Sequence, residues 1–208
     1  MTKSIMLVGV GGQGTILASK LLTIGLMEAG YDVKMSEIHG MSQRGGSVSS
    51  QVRYSKDQVY SPVIEIGGAD MIVSFEKVEA LRYLKYLKEG GTIVANNYKM
   101  ESVATITGKA EYKVEEVDKK LKELNAKVIN AADKATELGN AKVMNIILLG
   151  TVIKGMHLED IDWEQIIRDN VKEKFIDINI KIINLTYICF HVTIVSRRRQ
   201  AGPAETRR

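Results

Sequence analysis

A glycine-rich run, Gly9-Val-Gly-Gly-Gln-Gly14, is the first segment whose residue types and spacing could do chemistry. It lies between an apolar run, Ile5–Val8, and a segment whose apolar residues recur at helical spacing. Glycines in such a turn let the backbone approach a ligand closely, and the helix start offers unpaired N–H groups to an anion. We therefore predict a cofactor-binding turn formed by Gly9, Gly11, Gly12, Gln13 and Gly14. The alternative is that the glycines only let the helix pack closely on the sheet.

An acidic residue near the end of the second strand would fit a dinucleotide site, because a carboxylate there binds the ribose. Glu37 stands 23 residues after Gly14, close to the usual spacing of about 20. This pattern favours a stand-alone NAD(P)-binding oxidoreductase as one interpretation. No acid–base pair suited to hydride chemistry is evident beside it.

A second polar segment, His39-Gly-Met-Ser-Gln-Arg-Gly-Gly46, has neither helical nor strand periodicity and is predicted to be a loop. The guanidinium of an arginine can offer a planar fork to a carboxylate or a phosphate. Paired glycines let a ligand or another chain approach the backbone. The candidate binding residues here are His39, Gln43, Arg44, Gly45 and Gly46. Alternatively, Arg44 pairs with Glu37 or with a neighbouring subunit, and His39 is an ordinary loop histidine.

Several kinds of reaction centre lack the residues that they need. The sequence has one cysteine, Cys189, whereas an iron–sulfur cluster needs several thiolates. The three histidines, His39, His157 and His191, do not show the spacing of zinc ligands. A nucleophile elbow and a P-loop are also absent from the sequence. We therefore predict no catalytic residue and no metal site in this chain.

Short strands alternate with helices along the chain, which predicts an α/β fold: a Rossmann-like three-layer sandwich with a mostly parallel sheet. Ser47–Tyr54 alternates between apolar and polar residues and is expected to have one solvent-facing side. The predicted strands are Ile5–Val8, Tyr31–Ile38, Ser47–Tyr54, Met71–Phe75, Thr92–Ala95 and Lys127–Asn130. The predicted helices are Ile16–Leu26 (with Gly30 as its stop), Glu76–Lys88 (stopping before Gly90), Val114–Leu124, Ala132–Leu138, Ala141–Lys154, Trp163–Asn170 and Glu173–Ile183.

The net charge of +4 belongs to the last residues, because Ser196–Arg208 holds five arginines and one glutamate. The remainder of the chain is neutral, which does not favour nucleic-acid binding. The sequence contains no apolar run of membrane-spanning length and no secretory signal, so we expect a cytoplasmic protein. Residues 185–208 are an atypical tail, either a frameshifted or cloning-derived end, or a natural last strand at Tyr187–Val195 followed by a disordered basic end.

The two polar motifs together resemble the gamma-type domain of 2-oxoacid:ferredoxin oxidoreductases. The resemblance rests on Gly9-Val-Gly-Gly-Gln-Gly-Thr-Ile-Leu-Ala-Ser-Lys-Leu-Leu22 and on Ser36-Glu-Ile-His-Gly-Met-Ser-Gln-Arg-Gly-Gly-Ser-Val48. It covers residues 1–184, and the His-Gly-Met-Ser-Gln-Arg-Gly-Gly form is most similar to the small (beta) subunits of the indolepyruvate branch.

The resemblance implies a subunit of an oxidoreductase that acts on 2-oxo acids. An aryl pyruvate, coenzyme A and oxidised ferredoxin would give an aryl-acetyl-CoA, carbon dioxide and reduced ferredoxin. Thiamine diphosphate and the iron–sulfur clusters would belong to the large (alpha) subunit, with no cofactor held by this chain alone. Its partners would be that large subunit and, through the complex, ferredoxin. Under this interpretation the Gly9–Gly14 turn and Arg44 face the large subunit or the phosphates of coenzyme A. A purely scaffolding subunit with an empty turn is the remaining alternative.

Overall fold

The computed structural model describes residues 1–40, 45–100, 103–108 and 111–189. Six strands are present in these residues: β1 (Lys3–Val10), β2 (Asp32–His39), β3 (Ser47–Ser55), β4 (Ala69–Ser74), β5 (Leu87–Asn96) and β6 (Lys127–Ile129). The helices are α1 (Thr15–Glu28), α2 (Lys77–Arg82), α3 (Val103–Ile106), α4 (Val114–Glu123), α5 (Ala131–Glu137), α6 (Met144–Met156), α7 (Trp163–Asn170) and α8 (Ile176–Cys189). Short 3₁₀ turns at Leu84–Tyr86, Ala141–Val143 and Glu173–Phe175 precede β5, α6 and α8.

The strands form one sheet in the order β2-β3-β1-β4-β5-β6. β1, β4, β5 and β6 pair in parallel, with Ile5 opposite Met71 in the first of these ladders. β3 is antiparallel to both of its neighbours and lies between β1 and β2. The carboxyl ends of β1, β2, β4, β5 and β6 therefore lie at one edge of the sheet. The glycine turn follows β1 at this edge, and the second polar motif follows β2.

Helices or loops cover both faces of the sheet, which confirms the predicted three-layer α/β sandwich. Helices α1, α5, α6, α7 and α8 bury one face in the largest apolar cluster, around side chains such as Leu7, Leu21 and Leu148. The opposite face is covered by α2 and α4, which pack on Ile93 of β5, and by the loop before β4. β1 is apolar along most of its length because it is buried from both sides.

Helix α1 begins and ends where the glycines predict. Gly30 has a φ of +75°, and its N–H bonds to the carbonyl oxygen of Met27. In the last turn of α1, Gly25 lets α7 approach closely. A Cβ on Gly25 would stand 2.6 Å from a ring carbon of Trp163. This contact fixes the position of α7 against α1.

The predicted solvent-facing side of β3 is wrong. Ser49 and Gln51 lie on that side and are buried. The reason is the loop before β4, which folds over this face. The Gln51 side chain accepts a hydrogen bond of 2.6 Å from the N–H of Ile64 in the loop. Arg53 donates to the carbonyl oxygens of Ser61 and Val63 at 3.2 and 3.1 Å. Gln51 and Arg53 in this strand therefore hydrogen-bond to the covering loop rather than facing solvent.

The predicted long helix Glu76–Lys88 is also wrong. The helix ends at Arg82, a 3₁₀ turn follows, and β5 begins at Leu87. Gly90 and Gly91 therefore lie inside a strand rather than after a helix. A Cβ on Gly91 would be 2.9 Å from the carbonyl oxygen of Lys88, so the backbone there is too tightly folded for a side chain.

The last helix extends further than its pattern predicts. α8 runs to Cys189, so the alternative of a strand beginning at Tyr187 is wrong for residues 187–189. Within α8, Thr186 is buried and bonds to the carbonyl oxygen of Ile182 at 2.8 Å. The rest of the predicted atypical tail, 190–208, lies outside the described residues, and its origin stays a prediction. Among the helices that the structure describes, none is long and apolar enough to cross a membrane.

Candidate functional site

The turn after β1 is held by the amide of Gln13. The N–H of Val10 donates to Gln13 Oε1 at 2.7 Å, and Gln13 Nε2 donates to the carbonyl oxygen of Phe75 at 3.1 Å. Phe75 directly follows β4, so one side chain ties together the carboxyl ends of two strands. A Cβ on Gly9 would stand 2.7 Å from Gln13 Oε1, which explains the glycine at that position. Contacts of Gly9 and Gln13 inside the turn thus determine its conformation.

The start of α1 is left open toward the ends of the strands. Gly12 and Gly14 have φ angles of +102° and +82°, a backbone conformation that favours glycine. Gly14 is the N-cap residue of α1, and no side chain caps the helix. The first N–H groups of a helix have no partner within the helix, and its N-terminus carries partial positive charge. The turn can therefore accept an anion.

The two polar motifs lie against each other. The N–H of Gly11 donates to the carbonyl oxygen of Gly46 at 2.9 Å, and the N–H of Gly40 donates to that of Ser47 at 2.8 Å. Gly45 has a φ of +79°. Of the predicted loop residues, Gln43 and Arg44 lie outside the described residues, so their predicted roles stay predictions.

The acid expected to bind a ribose is engaged elsewhere. Glu37 accepts a hydrogen bond from Ser19 Oγ of α1 at 3.1 Å, and its other carboxylate oxygen lies 3.7 Å from His39 Nε2. Because β3 lies between β1 and β2, Glu37 is displaced from the end of β1 by two strand spacings, about 9.5 Å. A dinucleotide fingerprint needs this acid on the strand beside the glycine turn.

Two cavities flank the glycine turn. One, of about 510 Å³, lies toward β2 and β3 and is lined by Gly11, Gly12, Gly14, Thr15, Ile16, His39 and Val48. The other, of about 630 Å³, lies toward α5, α6 and the segment after β5. Gly12 and Gly14 line both cavities, so the turn forms a ridge between two possible ligand sites.

The larger cavity contains residues that the sequence analysis missed. Asn145, in the first turn of α6, lies beside Gly14: its Nδ2 atom is 2.9 Å from the place where a Cβ on Gly14 would stand. Lys142 and the side chains of Tyr98, Met100 and Phe175 also line this cavity. They come from segments 84 to 161 residues beyond Gly14, and no local pattern links them to the turn.

Charged residues at the start of α2 are buried next to the same edge of the sheet. Glu76 is the N-cap residue, and its carboxylate accepts from the N–H groups of Val78 at 2.7 Å and Glu79 at 3.1 Å. It also accepts a hydrogen bond from the hydroxyl of Tyr112. Burial raises the pKa of Glu76 despite these hydrogen bonds. Glu76 is therefore a structural acid whose ionisation opposes folding.

The strand that follows the polar loop is hydrogen-bonded to α2. Ser47, the first residue of β3, donates from its hydroxyl to the carboxylate of Glu79. The same carboxylate accepts from Arg82 Nε at 2.9 Å. Lys77 is buried as well and bonds to Asp118 of α4 at 2.7 Å. These buried charges are all paired, as burial requires. In the described ranges, no group of histidine, cysteine and acidic side chains could hold a metal ion.

The fold and this edge define a Rossmann-like α/β domain whose glycine-rich turn leaves the N-terminus of α1 without a side-chain cap. The family described as pyruvate ferredoxin/flavodoxin oxidoreductase matches residues 4–188. The chain therefore belongs to this family, and the family resemblance carried by the two motifs is confirmed.

Individual relatives agree with this assignment. The chain is 40% identical over 188 residues to the indolepyruvate oxidoreductase subunit IorB of Pyrococcus horikoshii, covering 88% of this chain and 93% of the relative. It is 34% identical over 192 residues to the protein of the same name from Archaeoglobus fulgidus, covering 90% and 94%.

Solved structures share the fold at lower identity. The gamma subunit of a keto/oxoacid ferredoxin oxidoreductase from Geobacter sulfurreducens has a TM-score of 0.64 at 20% identity, covering 89% of this chain and 96% of that chain. A 2-oxoglutarate:ferredoxin oxidoreductase from Magnetococcus marinus has a TM-score of 0.70 at 18% identity. This chain is covered over 98% of its length and matches 34% of that longer chain. The same fold therefore occurs both as a separate subunit and as one domain of a longer polypeptide.

Proposed function

We propose that this chain is the small subunit of an indolepyruvate:ferredoxin oxidoreductase. The observation that carries the proposal is the 40% identity to the Pyrococcus horikoshii subunit, which extends over 93% of that relative's length. The complete enzyme would convert an aryl pyruvate, coenzyme A and oxidised ferredoxin into an aryl-acetyl-CoA, carbon dioxide and reduced ferredoxin. We place this reaction in the cytoplasm.

In this proposal the reaction centre belongs to a large subunit. The sequence has one cysteine, and an iron–sulfur cluster needs several thiolates, so the clusters have to be held by another chain. Thiamine diphosphate would be bound by the same large subunit, which would also pass electrons to ferredoxin. Helix α1, the glycine turn and the polar loop would complete the site from outside.

The glycine turn and the polar loop would face the large subunit or the phosphates of coenzyme A. Two features support this role: the bare N-terminus of α1, and the hydrogen bond between Gly11 and Gly46 that joins both motifs. Arg44 lies two residues before Gly46 in the sequence and would add a cation. If Arg44→Ala changes neither complex formation nor the Michaelis constant for coenzyme A, Arg44 does not have this role.

Two other functions are distinguishable from the proposed one. A stand-alone NAD(P)-binding enzyme would use Glu37, but that carboxylate bonds to Ser19 and lies beside His39. Titration of the purified chain with NAD and NADP tests this function, and micromolar binding would support it over the proposal. A purely scaffolding subunit would leave the large subunit active when the small chain is omitted.

The deciding experiment is co-expression with the large subunit of the proposed enzyme, followed by indolepyruvate-dependent reduction of a viologen dye. We expect dye reduction that requires both chains and coenzyme A. Pyruvate and 2-oxoglutarate in place of indolepyruvate serve as matched substrate controls. Equal rates with all three substrates would contradict the indolepyruvate assignment, and full activity of the large subunit alone would favour scaffolding.

A further inference from the structure

Ser47 is the residue at which the two polar motifs meet. It directly follows Gly46, whose carbonyl oxygen accepts the N–H of Gly11. In the ladder between β1 and β3 it lies opposite Val10, the last residue of β1. Its own carbonyl oxygen accepts the N–H of Gly40 at 2.8 Å, which closes the polar loop at its base. The position of Ser47 therefore determines where the end of the polar loop lies against the glycine turn.

The hydroxyl of Ser47 is held by a buried carboxylate of α2. It donates to Glu79 Oε2 and lies 3.2 Å from the hydroxyl of Tyr83. The other carboxylate oxygen of Glu79 accepts from Arg82 Nε at 2.9 Å. Hydrogen bonds to charged groups are stronger than neutral ones, and a low local dielectric strengthens them further. This contact therefore fixes the side chain of Ser47 against α2.

Helix α2 is itself held in place at its start. The carbonyl oxygen of Phe75, just before the helix, accepts from Gln13 Nε2 of the glycine turn and from Asn96 Nδ2 of β5. The next residue, Glu76, caps the helix and also accepts from the hydroxyl of Tyr112. A side chain on this helix is therefore a fixed support, and fixed supporting contacts are what keep a binding segment in one arrangement.

The burial of Glu79 is not explained by its pair with Arg82. The side chain of Arg82 is 52% exposed, whereas that of Glu79 is 3% exposed, so the two groups do not need a buried carboxylate in order to pair. Removing a carboxylate from water costs free energy, and a buried ion pair often stabilises a fold no more than apolar residues do. The buried position does, however, bring the carboxylate to Ser47.

We propose that Glu79 is a positioning residue for the polar loop. Through the hydroxyl of Ser47 it holds Gly45 and Gly46 beside the glycine turn, and it thereby sets the arrangement in which the loop meets its partner. The inference rests on the proposed function for what the loop contacts, the large subunit or coenzyme A. The position of the loop itself is testable on the full chain alone.

Digestion of the folded, full-length chain by trypsin reports on the loop, because Arg44 is the only lysine or arginine between Lys34 and Arg53. Cleavage after Arg44 gives fragments 1–44 and 45–208, which intact mass spectrometry identifies. Ser47→Thr keeps the hydroxyl, whereas Ser47→Val has the same shape without it. We expect Ser47→Val to raise the initial rate of this cleavage at least about fivefold over Ser47→Thr, because proteolysis follows the population of the opened state.

The variants of Glu79 test the other side of the same contact. Glu79→Ala should raise the rate by a factor similar to that of Ser47→Val. The double variant should be cleaved within about twofold of either single variant, because residues in direct contact are not additive. Glu79→Gln keeps an acceptor for Ser47 and should raise the rate less than Glu79→Ala. Glu123→Ala, exposed on α4, is the matched control and should leave the rate unchanged.

Cleavage after Arg53 separates release of the loop from unfolding of the protein. Arg53 lies inside β3, so cleavage there requires the sheet to open and measures global unfolding in the same digest. Faster cleavage after Arg44 without an equal rise after Arg53 supports the positioning role. Equal rates in Ser47→Thr and Ser47→Val, unchanged cleavage in Glu79→Ala, or an equal rise at both arginines would overturn it.

A measurement on the complex separates this inference from the proposed function. When the purified chain is titrated into the large subunit, Glu79→Ala should raise either the Michaelis constant for coenzyme A or the concentration of chain that gives half-maximal dye reduction, by at least about threefold and with little change in kcat. Loop release in the variants, combined with no indolepyruvate-dependent dye reduction by the wild type, would refute the proposed function and leave the positioning role standing. Dye reduction that requires both chains, with unchanged cleavage after Arg44 in Glu79→Ala, would refute this inference alone.

Discussion

Replacing Gln13 by methionine removes the amide that fastens the glycine turn while keeping a side chain of similar length. The buried N–H of Val10 then loses the acceptor at 2.7 Å, and the carbonyl oxygen of Phe75 loses a donor at 3.1 Å. An unsatisfied buried group costs about 1–3 kcal/mol. The carbonyl oxygen of Phe75 retains a second donor, Asn96 Nδ2 at 3.3 Å. Losing the Gln13 donor therefore costs less at Phe75 than losing the acceptor costs at Val10.

We therefore expect Gln13→Met to lower the free energy of unfolding by about 2–3 kcal/mol. For a chain of this size that corresponds to a fall in Tm of about 4–12 °C. Chemical denaturation monitored by circular dichroism measures the free energy, and scanning calorimetry measures Tm. Gln165→Met is the matched control, because Gln165 is exposed on α7 and its loss should cost within about 0.5 kcal/mol.

A second variant separates hydrogen bonding from packing. Gln13→Glu keeps an acceptor for Val10 but brings a carboxylate oxygen toward the carbonyl oxygen of Phe75. It should be more destabilising at neutral pH than at pH 4, because protonation of the carboxyl restores a donor. If Gln13→Met is as stable as the Gln165 control, the amide does not fasten the turn, and its geometry must come from the glycines alone.

Three further outcomes follow from contacts elsewhere in the fold. Gly25→Ala should destabilise the protein by about 1–3 kcal/mol, because the added methyl group meets the indole ring of Trp163. In the control Gly155→Ala the methyl group meets only the flexible end of Met71, so this variant should cost less than about 1 kcal/mol. Denaturant titration of both variants measures the difference. Burial raises the pKa of Glu76, so ionisation of this carboxyl lowers the free energy of unfolding. The stability of the wild type relative to Glu76→Gln should therefore fall as pH rises from the unfolded-state pKa of about 4.3 through the raised folded-state value. A wild type that gains stability over Glu76→Gln with rising pH would contradict this. Asn96→Ala should cost about 2–4 kcal/mol, because this buried amide hydrogen-bonds to the start of α5 and to the residue after β4. Asn97 is exposed, so Asn97→Ala should cost under about 1 kcal/mol. Thermal unfolding of both variants measures the two costs.

The elements that local patterns encode could be predicted from the sequence. Trp163–Asn170 forms a helix with the predicted bounds, and the glycine turn lies between the predicted strand and helix. The prediction of a helix at Glu76–Lys88 was wrong because the apolar spacing of Leu84 and Leu87 fits either a helix or a turn followed by a strand. Packing on α4 and pairing with β4 decide in favour of the strand.

The order of the strands could not be predicted from local patterns. The spacing from Gly14 to Glu37 matches a dinucleotide fingerprint, yet β3 returns between β1 and β2 and separates the acid from the turn. Asn145 was missed for a similar reason. Its place beside Gly14 depends on how α6 packs against α1, and 131 residues separate the two positions. Long-range packing decides both features.

The hydrogen bond from Gly11 to Gly46 gives the protein a built-in spectroscopic reporter. Glycine amide resonances occupy a sparsely populated region of a proton–nitrogen correlation spectrum, and this single proton bridges the two motifs. Its exchange rate with deuterium measures how often the loop separates from the turn, since exchange requires that opening. The exchange rate of this one amide proton, measured before and after the large subunit or a nucleotide is added, would show which of them stabilises the contact between the two motifs. No enzymatic assay is needed.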